Sequence, residues 1–419
     1  MGKRVTGDAG NQKGRTGKPR RVGQPSSRWR RWAQVFGGVM FIMGIAGSLA
    51  AAAATPSEPG YFPPGTPKSR GASNIILVYT GYYSSGAGDW DVASALPYVA
   101  YGTPKVDENG QRLLQMDWKD WFFDTYLFLG LQAPSGRAFD SPARATPARM
   151  EDWQWYIDHL FADGMQLDAF DQAVALAKER GLGPADYRGK VIIMIPNPIT
   201  TQRDFGDVDG DGVSEDFTVI RQSSAQATAA RTRAVQWYVR QVLARWQAKK
   251  YQNLELIGFY WVEEEVHMGV SSEGSTLQAV HDQLAADGYL LFWIPWFNAP
   301  GVQNWQRWGF DVAIHQPNYM FNTSIPKSRL EEAAAISRAK GMGVEIEADS
   351  SILSSESGRQ RYLDYLRAGV QFGYMNGALK AYYQDAKALL YAFSSLDPEV
   401  RRMYDATYEF VKGRFVDEQ

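Results

Sequence analysis

Residues 254–265 read Leu254-Glu255-Leu256-Ile257-Gly258-Phe259-Tyr260-Trp261-Val262-Glu263-Glu264-Glu265. An apolar, aromatic-rich run of this length, with little polar alternation, is the mark of a strand covered on both faces, as in a parallel sheet. It ends abruptly in three consecutive acids. Seven runs of the same kind lie on either side of it: Asn74–Tyr83 (NIILVYTGYY), Trp121–Leu131 (WFFDTYLFLGL), Val191–Ile195 (VIIMI), Leu290–Trp296 (LLFWIPW), Asp311–His315 (DVAIH), Gly343–Glu347 (GVEIE) and Ala378–Tyr383 (ALKAYY). Ala/Leu/Arg/Lys spacing between them predicts helices over 168–180, 225–249, 276–287, 327–340 and 358–368. A closing helix is expected over 397–415, with Pro398 in its first turn. Eight strand–helix units predict an α/β fold, a (β/α)8 barrel in one domain over 73–419. The doubly wound alternative lacks its fingerprint, since no GxGxxG follows the first strand.

Charge is distributed unevenly. Residues 1–32 carry ten Lys/Arg against the single acid Asp8, and residues 33–54 carry no charge. The remainder holds 34 basic and 45 acidic residues. An acidic body argues against a nucleic-acid backbone as partner and leaves basic surface for anionic lipid only at the N-terminus. Basic, apolar, then small residues (Leu49-Ala50-Ala51-Ala52-Ala53-Ala54) is the order of a secretory signal, so residues 1–54 are expected to export the chain. The apolar stretch is also long enough to stay as a membrane anchor. In either case the body is secreted or held at the cell surface. Residues 55–72 (TPSEPGYFPPGTPKSRGA) read as a Pro/Gly linker.

The chain contains no cysteine, which removes disulfides, thiolate nucleophiles and Fe–S centres. Its four histidines, His159, His267, His281 and His315, form no HExxH and no i, i+4 pair, which argues against a histidine-based metal centre. No cofactor for catalysis is expected.

In a (β/α)8 barrel the site lies where strands end and βα loops begin. Those ends are rich in aromatics, amides and acids: Tyr82 and Tyr83; Glu263, Glu264 and Glu265; Trp296 and Asn298; Gln316, Asn318 and Tyr319; Glu345 and Glu347; Tyr383 and Gln384. Alternation within 343–347 places Glu345 and Glu347 on one face, and the apolar Val344 and Ile346 face the helices. Both glutamates therefore point into the barrel, Glu347 nearer the mouth. Three glutamates in a row guarantee one inward carboxylate on the fourth strand, but period two does not choose among them. Paired carboxylates across an aromatic cleft are what glycoside hydrolysis needs, one to protonate the leaving oxygen and one to attack or activate water. The plainer alternatives are a solvated loop for 263–265 and a structural ion pair for Glu345 and Glu347.

Gly258-Phe259-Tyr260-Trp261-Val262-Glu263-Glu264, Gln316-Pro317-Asn318-Tyr319, Gly343-Val344-Glu345-Ile346-Glu347 and Trp121-Phe122-Phe123-Asp124-Thr125 together resemble a bacterial family catalogued as domain of unknown function 4855, over roughly 74–415. That family is similar to retaining glycosidases with (β/α)8 barrels, whose acid/base ends strand four and whose nucleophile ends strand seven. The resemblance implies Glu264 as acid/base and Glu347 as nucleophile, with Glu263, Glu265 and Glu345 as alternates. It also implies a poly- or oligosaccharide substrate, contacted by Tyr260 and the mouth residues above. The chain departs from such glycosidases in lacking the Asn-Glu pair many of them carry on strand four. A retaining pair should lie about 5–5.5 Å apart. The rivals to this reading are a non-catalytic glycan-binding barrel and an envelope scaffold.

One further motif stands apart. Asp207-Val208-Asp209-Gly210-Asp211-Gly212-Val213-Ser214-Glu215 follows D-x-D-x-D-G-x-x-E, the opening of a calcium loop, with Asp207, Asp209, Asp211 and Glu215 as candidate ligands. Position twelve is Thr218, so it is not a full EF-hand. Structural calcium is the expectation, and an ion-free acidic turn the alternative.

Overall fold

The computed structural model describes residues 60–108, 112–267 and 273–416. The expected export segment, 1–54, lies outside them. Eight parallel strands close on themselves: β1 (Asn74–Tyr79), β2 (Thr125–Leu129), β3 (Gly189–Ile195), β4 (Leu254–Trp261), β5 (Leu290–Trp293), β6 (Val312–His315), β7 (Gly343–Glu347) and β8 (Lys380–Tyr383). Closure is made where β1 pairs with both β2 and β8, with Ile75 opposite Thr125 on one side and Ala381 on the other. This is the (β/α)8 barrel that the eight runs predict, and each run falls on its own strand. β1 and β2, β4 and β7 are buried almost throughout, which is why their sequences show so little polar alternation.

The helices follow their own start signals. Ser223 caps Ser224–Lys249 in a capping box with Gln226, and Asp397 caps Pro398–Val411 by accepting from Glu399 N–H. Several elements were not expected, two helices and a hairpin chief among them. Val92–Val99 and Met150–Leu160 are helices, and Ala100–Val106 pairs antiparallel with Arg112–Trp121. Trp121 thus ends a hairpin rather than opening the second barrel strand. The hairpin grips the closing helix. Tyr101 stacks on Tyr408 with centroids 3.7 Å apart, Tyr408 donates to Asp120 at 2.8 Å, and Arg401 donates to the Gly102 carbonyl at 2.5 Å.

β1 also stops earlier than its apolar run. Chain leaving β1 at Gly81 touches chain leaving β2 at Gly130, and a Cβ on Gly81 would sit 2.9 Å from the Gly130 Cα. Only glycine permits that approach. At the opposite end, residues 60–72 of the stretch read as a linker lie against the barrel. Phe62 donates to the Met342 carbonyl at 3.0 Å and accepts from Leu379 N–H at 2.8 Å. Among the described residues no helix is long and apolar enough to cross a membrane.

Candidate active site

The three glutamates after β4 diverge in their surroundings. Glu263 is buried and accepts from Asn197 Nδ2 at 2.7 Å, and its carbonyl accepts from Trp293 Nε1 at 2.9 Å. Burial, then the acids Asp140, Glu265 and Glu264, push its carboxyl well above the usual range. Glu265 pairs with His267 Nδ1 at 3.1 Å and accepts from Trp296 Nε1 at 3.3 Å. Glu264 is the exposed one of the three, and the burial acting on it is the crowding of surrounding protein, not loss of contact with solvent. Burial pushes it up to about 7, with the Gln316 amide and Arg144 opposing and Asp140 and Glu347 adding to the rise.

β7 supplies the facing acids. Glu345 stands beside Ala381 and Glu347 beside Tyr383 in the ladder, so both share one face. Both are buried. Glu347 is well supplied with donors. Asn318 N–H reaches its Oε1 at 2.9 Å, Asn318 Nδ2 follows at 3.4 Å, and the Tyr365 hydroxyl donates to Oε2. That last proton has nowhere else to go. The Tyr365 oxygen already accepts from Tyr319 N–H at 3.0 Å and Met320 N–H at 3.1 Å, so its single hydrogen serves Glu347. Donors on both oxygens favour the carboxylate. Burial nevertheless lifts Glu347 to about 7. Glu345 accepts no hydrogen bond from any described residue. Burial, then the charges of Glu347 and Glu264, raise it well above the carboxylate range, so it carries the proton of the pair.

Asn318 is the keystone of this side. Its backbone is left-handed, φ 52°, a conformation asparagine tolerates better than most residues. Its Oδ1 accepts from Phe297 N–H at 2.8 Å and its Nδ2 donates to Gln316 Oε1 at 2.9 Å, tying the loops after β5 and β6 to Glu347. Gln316 in turn donates to the Ile294 carbonyl at 2.7 Å.

The other expected contacts separate into two groups. Tyr260 is buried and its hydroxyl is raised by burial and then by the charges of Glu264 and Glu345, and Tyr79 stands edge-to-face against Tyr383, centroids 5.8 Å apart. Tyr383 in turn meets Phe321 edge-to-face at 5.3 Å. Tyr82 and Asn298 are exposed at the rim, Tyr83 and Trp296 half-buried. Two residues do not reach the crater. Gln384 is wholly buried, bonded to the Tyr98 hydroxyl at 2.6 Å and the Leu77 carbonyl at 3.2 Å. The Tyr319 hydroxyl turns away to Asp364 at 3.1 Å, and its ring is covered by the Arg361 guanidinium at 3.6 Å. Side chains that begin just past a strand end can swing outward to the helices, and a linear reading does not register that.

Residues the sequence reading missed are those that reach the site from elsewhere. Asn197 follows β3 and holds Glu263. Asp140 accepts from Arg144 Nε at 2.7 and 2.8 Å, placing that guanidinium near Glu264. Tyr365 comes from the helix Glu356–Gln371. Only Asn197, in the Ile195-Pro196-Asn197 exit of β3, carried a positional signal. A small cavity of about 20 Å³ is lined by Asn197, Arg231, Trp261, His267 and Glu273.

Residues 74–409 match the family model described as Domain of unknown function (DUF4855). The chain belongs to this family. No curated protein matches it. Among solved structures it is similar to tryptophan synthase of the hyperthermophile Pyrococcus furiosus, at 12% identity over 84% of this chain and 99% of that one, TM-score 0.36. It is likewise similar to a candidate α-L-fucosidase from Bacteroides thetaiotaomicron, at 12% identity over 88% of this chain and 99% of that one, TM-score 0.37. Likenesses at this level bear on no residue of the site.

Carboxylate oxygens of Asp207, Asp209 and Asp211 lie within 4.8 Å of one another, a spacing that fits a cation. Asp207 also accepts from Gly210 N–H at 2.7 Å and Gly212 N–H at 2.8 Å, which holds its carboxyl below the usual range. Glu215 does not join them. It is buried against Arg233, which donates to it at 2.8 and 2.5 Å. Oxygens of Glu263 and Glu265 and a nitrogen of His267 likewise fall within 4.8 Å, although the latter two are already paired.

Proposed function

We propose that this protein is an exported retaining glycoside hydrolase, with Glu264 as general acid/base and Glu347 as nucleophile. The observation that carries the reading is the unequal treatment of two carboxyls of one crater, both raised to about 7. Glu347 receives donors on both oxygens, which suits an anion that attacks a sugar carbon. Glu264 meets solvent and has weaker support, which suits an acid that gives its proton to a leaving oxygen and takes one back from water. The steps balance: the C–O bond to the leaving group breaks as Glu347 bonds the anomeric carbon, and water then releases the sugar with Glu264 as base. The crater aromatics Tyr260, Tyr383 and Trp296, with Gln316 and Asn318, hold the poly- or oligosaccharide. The reading requires the two carboxyls to fall in the closer class of paired glycosidase acids, about 5–5.5 Å apart.

The direct experiment is incubation of the pure protein with a glycan library, with the anomer of the first product followed by NMR. Retention of configuration supports the assignment. Binding without hydrolysis would leave the glycan-binding barrel in its place. The basic–apolar–small order of residues 1–54 supports export from the cytoplasm. Fractionation and N-terminal sequencing should then find it there, and an intact Met1 in the soluble cytoplasmic fraction would overturn that part.

A further inference from the structure

A largely buried side chain whose polar end is bonded by no protein group and is still open to solvent leaves that end free for a ligand. Three such side chains lie on the barrel strands of this crater. Tyr79 is 6% exposed, Tyr260 2% and Glu345 3%, yet neither hydroxyl nor the carboxyl has a hydrogen-bond partner among the described residues. They are not sealed in, because the buried, partnerless polar atoms of the described interior belong to Trp121, Trp153, Tyr238, Trp261, Gln283 and Arg361. The three polar ends therefore open onto the crater. They belong to three strands of the barrel, β7, β1 and β4: Tyr79 stands edge-to-face against Tyr383, centroids 5.8 Å apart, and Tyr383 is the ladder partner of Glu347, whose face of β7 Glu345 shares. The charge of Glu345 acts on both tyrosines. Glu264 lies close to Glu345 and to Tyr260, and Glu347 stands two residues along the same face of β7.

We propose that Glu345, Tyr79 and Tyr260 form a hydroxyl-binding floor that positions an uncharged sugar ring between Glu264 and Glu347. The inference rests on the reading of those two glutamates as the reacting pair and adds the class of ring they receive. Each tyrosine offers one donor and acceptor capacity, and a protonated carboxyl offers an O–H and a carbonyl. Adjacent hydroxyls of a sugar ring match such a set. An acidic sugar does not. A carboxylate or sulfate there would face Glu264, Glu347 and Glu345, and the cation near Glu264, Arg144, is already engaged by Asp140. Glu345 is then a positioning residue, not a proton donor to the leaving group.

The test uses the full chain, methyl glycosides of neutral hexoses and the matching methyl glycuronides, with binding followed by saturation-transfer NMR. Neutral glycosides should bind and glycuronides should not. Y79F and Y260F should each weaken neutral binding about threefold to tenfold, the loss of one hydrogen bond. E345L should weaken it at least as much, and E345Q should restore it, since an amide keeps one donor face and one acceptor. A deoxy glycoside lacking the hydroxyl that meets Tyr79 should bind wild type and Y79F equally, which a merely structural tyrosine would not produce. Neutral binding unchanged in Y79F and Y260F, preferred binding of glycuronides, or no binding by any of these glycosides overturns the proposal. If neutral glycosides bind as described and are never hydrolysed, the hydrolase reading fails and the floor stands. If hydrolysis proceeds with Y79F and Y260F kinetically unchanged, the floor fails and the hydrolase reading stands.

Discussion

The two ends of the barrel treat their polar groups in opposite ways. At the N-terminal end charge is spent on backbone. Asp124 accepts from Ser73 and Asn74 N–H, both at 3.0 Å, and Lys380 donates to the carbonyls of Met375 at 2.7 Å and Ala378 at 2.9 Å. Burial lowers Lys380 to about 8, and every contact it makes closes the barrel's base. At the C-terminal end, the carboxyl of Glu345 and the hydroxyls of Tyr79 and Tyr260 have no hydrogen-bond partner among the described residues. The base satisfies its polar groups with protein, whereas the mouth leaves these three to solvent, the contrast on which the proposed function rests.

The largest expected effect falls on the mouth. E264Q and E347Q should each lower turnover of a hydrolysed glycan by about 10²–10⁴-fold, the usual weight of a general acid/base group. Neither should lower the melting temperature. If both variants melt early instead, these acids belong with the structural charges of the base, and the contrast between the ends collapses.

At the base the pattern should reverse. D124A removes the acceptor from two backbone N–H groups and should cost about 1–3 kcal/mol of stability in denaturant unfolding, with kcat of the folded fraction unchanged. A loss of kcat without a loss of stability would put Asp124 on the wrong side of the comparison.

A third effect concerns pH. The carboxyls of Glu345 and Glu347 are raised in the folded protein above their ordinary value of 4.5. Below that value both folded and unfolded chains hold the protons and nothing is lost. As pH climbs from 4.5 through about 7 and beyond, the unfolded chain releases them more readily, and stability declines. Melting temperature should therefore fall between pH 5 and 8, and E345Q should flatten that fall and melt higher than wild type at pH 8. Equal slopes for the two proteins would mean that Glu345 has a partner after all.

The fold was legible because a two-sided barrel strand must be apolar almost throughout, and eight such runs leave few other architectures. The hairpin over 100–121 escaped because it is a partly solvated ribbon. Its Lys105, Asp117 and Lys119 break the apolar pattern, and the Asn109-Gly110 pair between its arms was the signal to read. Glu345 and Glu347 could be oriented by alternation within a strand. The choice among Glu263, Glu264 and Glu265 could not, because it depends on Asn197 and His267 claiming the outer two. Tyr365 is 18 residues beyond Glu347 on a covering helix, and nothing local couples them.

The smallest effect is at the acidic loop. If Asp207, Asp209 and Asp211 hold calcium, a chelator should lower the melting temperature by a few degrees at most, since ligand at a hundredfold its Kd adds about 2.7 kcal/mol. D211A should remove that response and leave the crater's chemistry untouched. An unchanged melting curve with chelator and with added calcium would make the loop an ion-free turn, with Arg233 as its counter-charge.

The most direct test of the account is covalent trapping. Activated 2-deoxy-2-fluoro glycosides of neutral sugars slow release of a glycosyl-enzyme, so a retaining enzyme accumulates the ester on its nucleophile. Mass spectrometry of the digested protein should find one sugar on the peptide carrying Glu347, and no label in E347Q. Label on Glu264 or Glu345, or hydrolysis of the parent glycosides with inversion and no label at all, would contradict it.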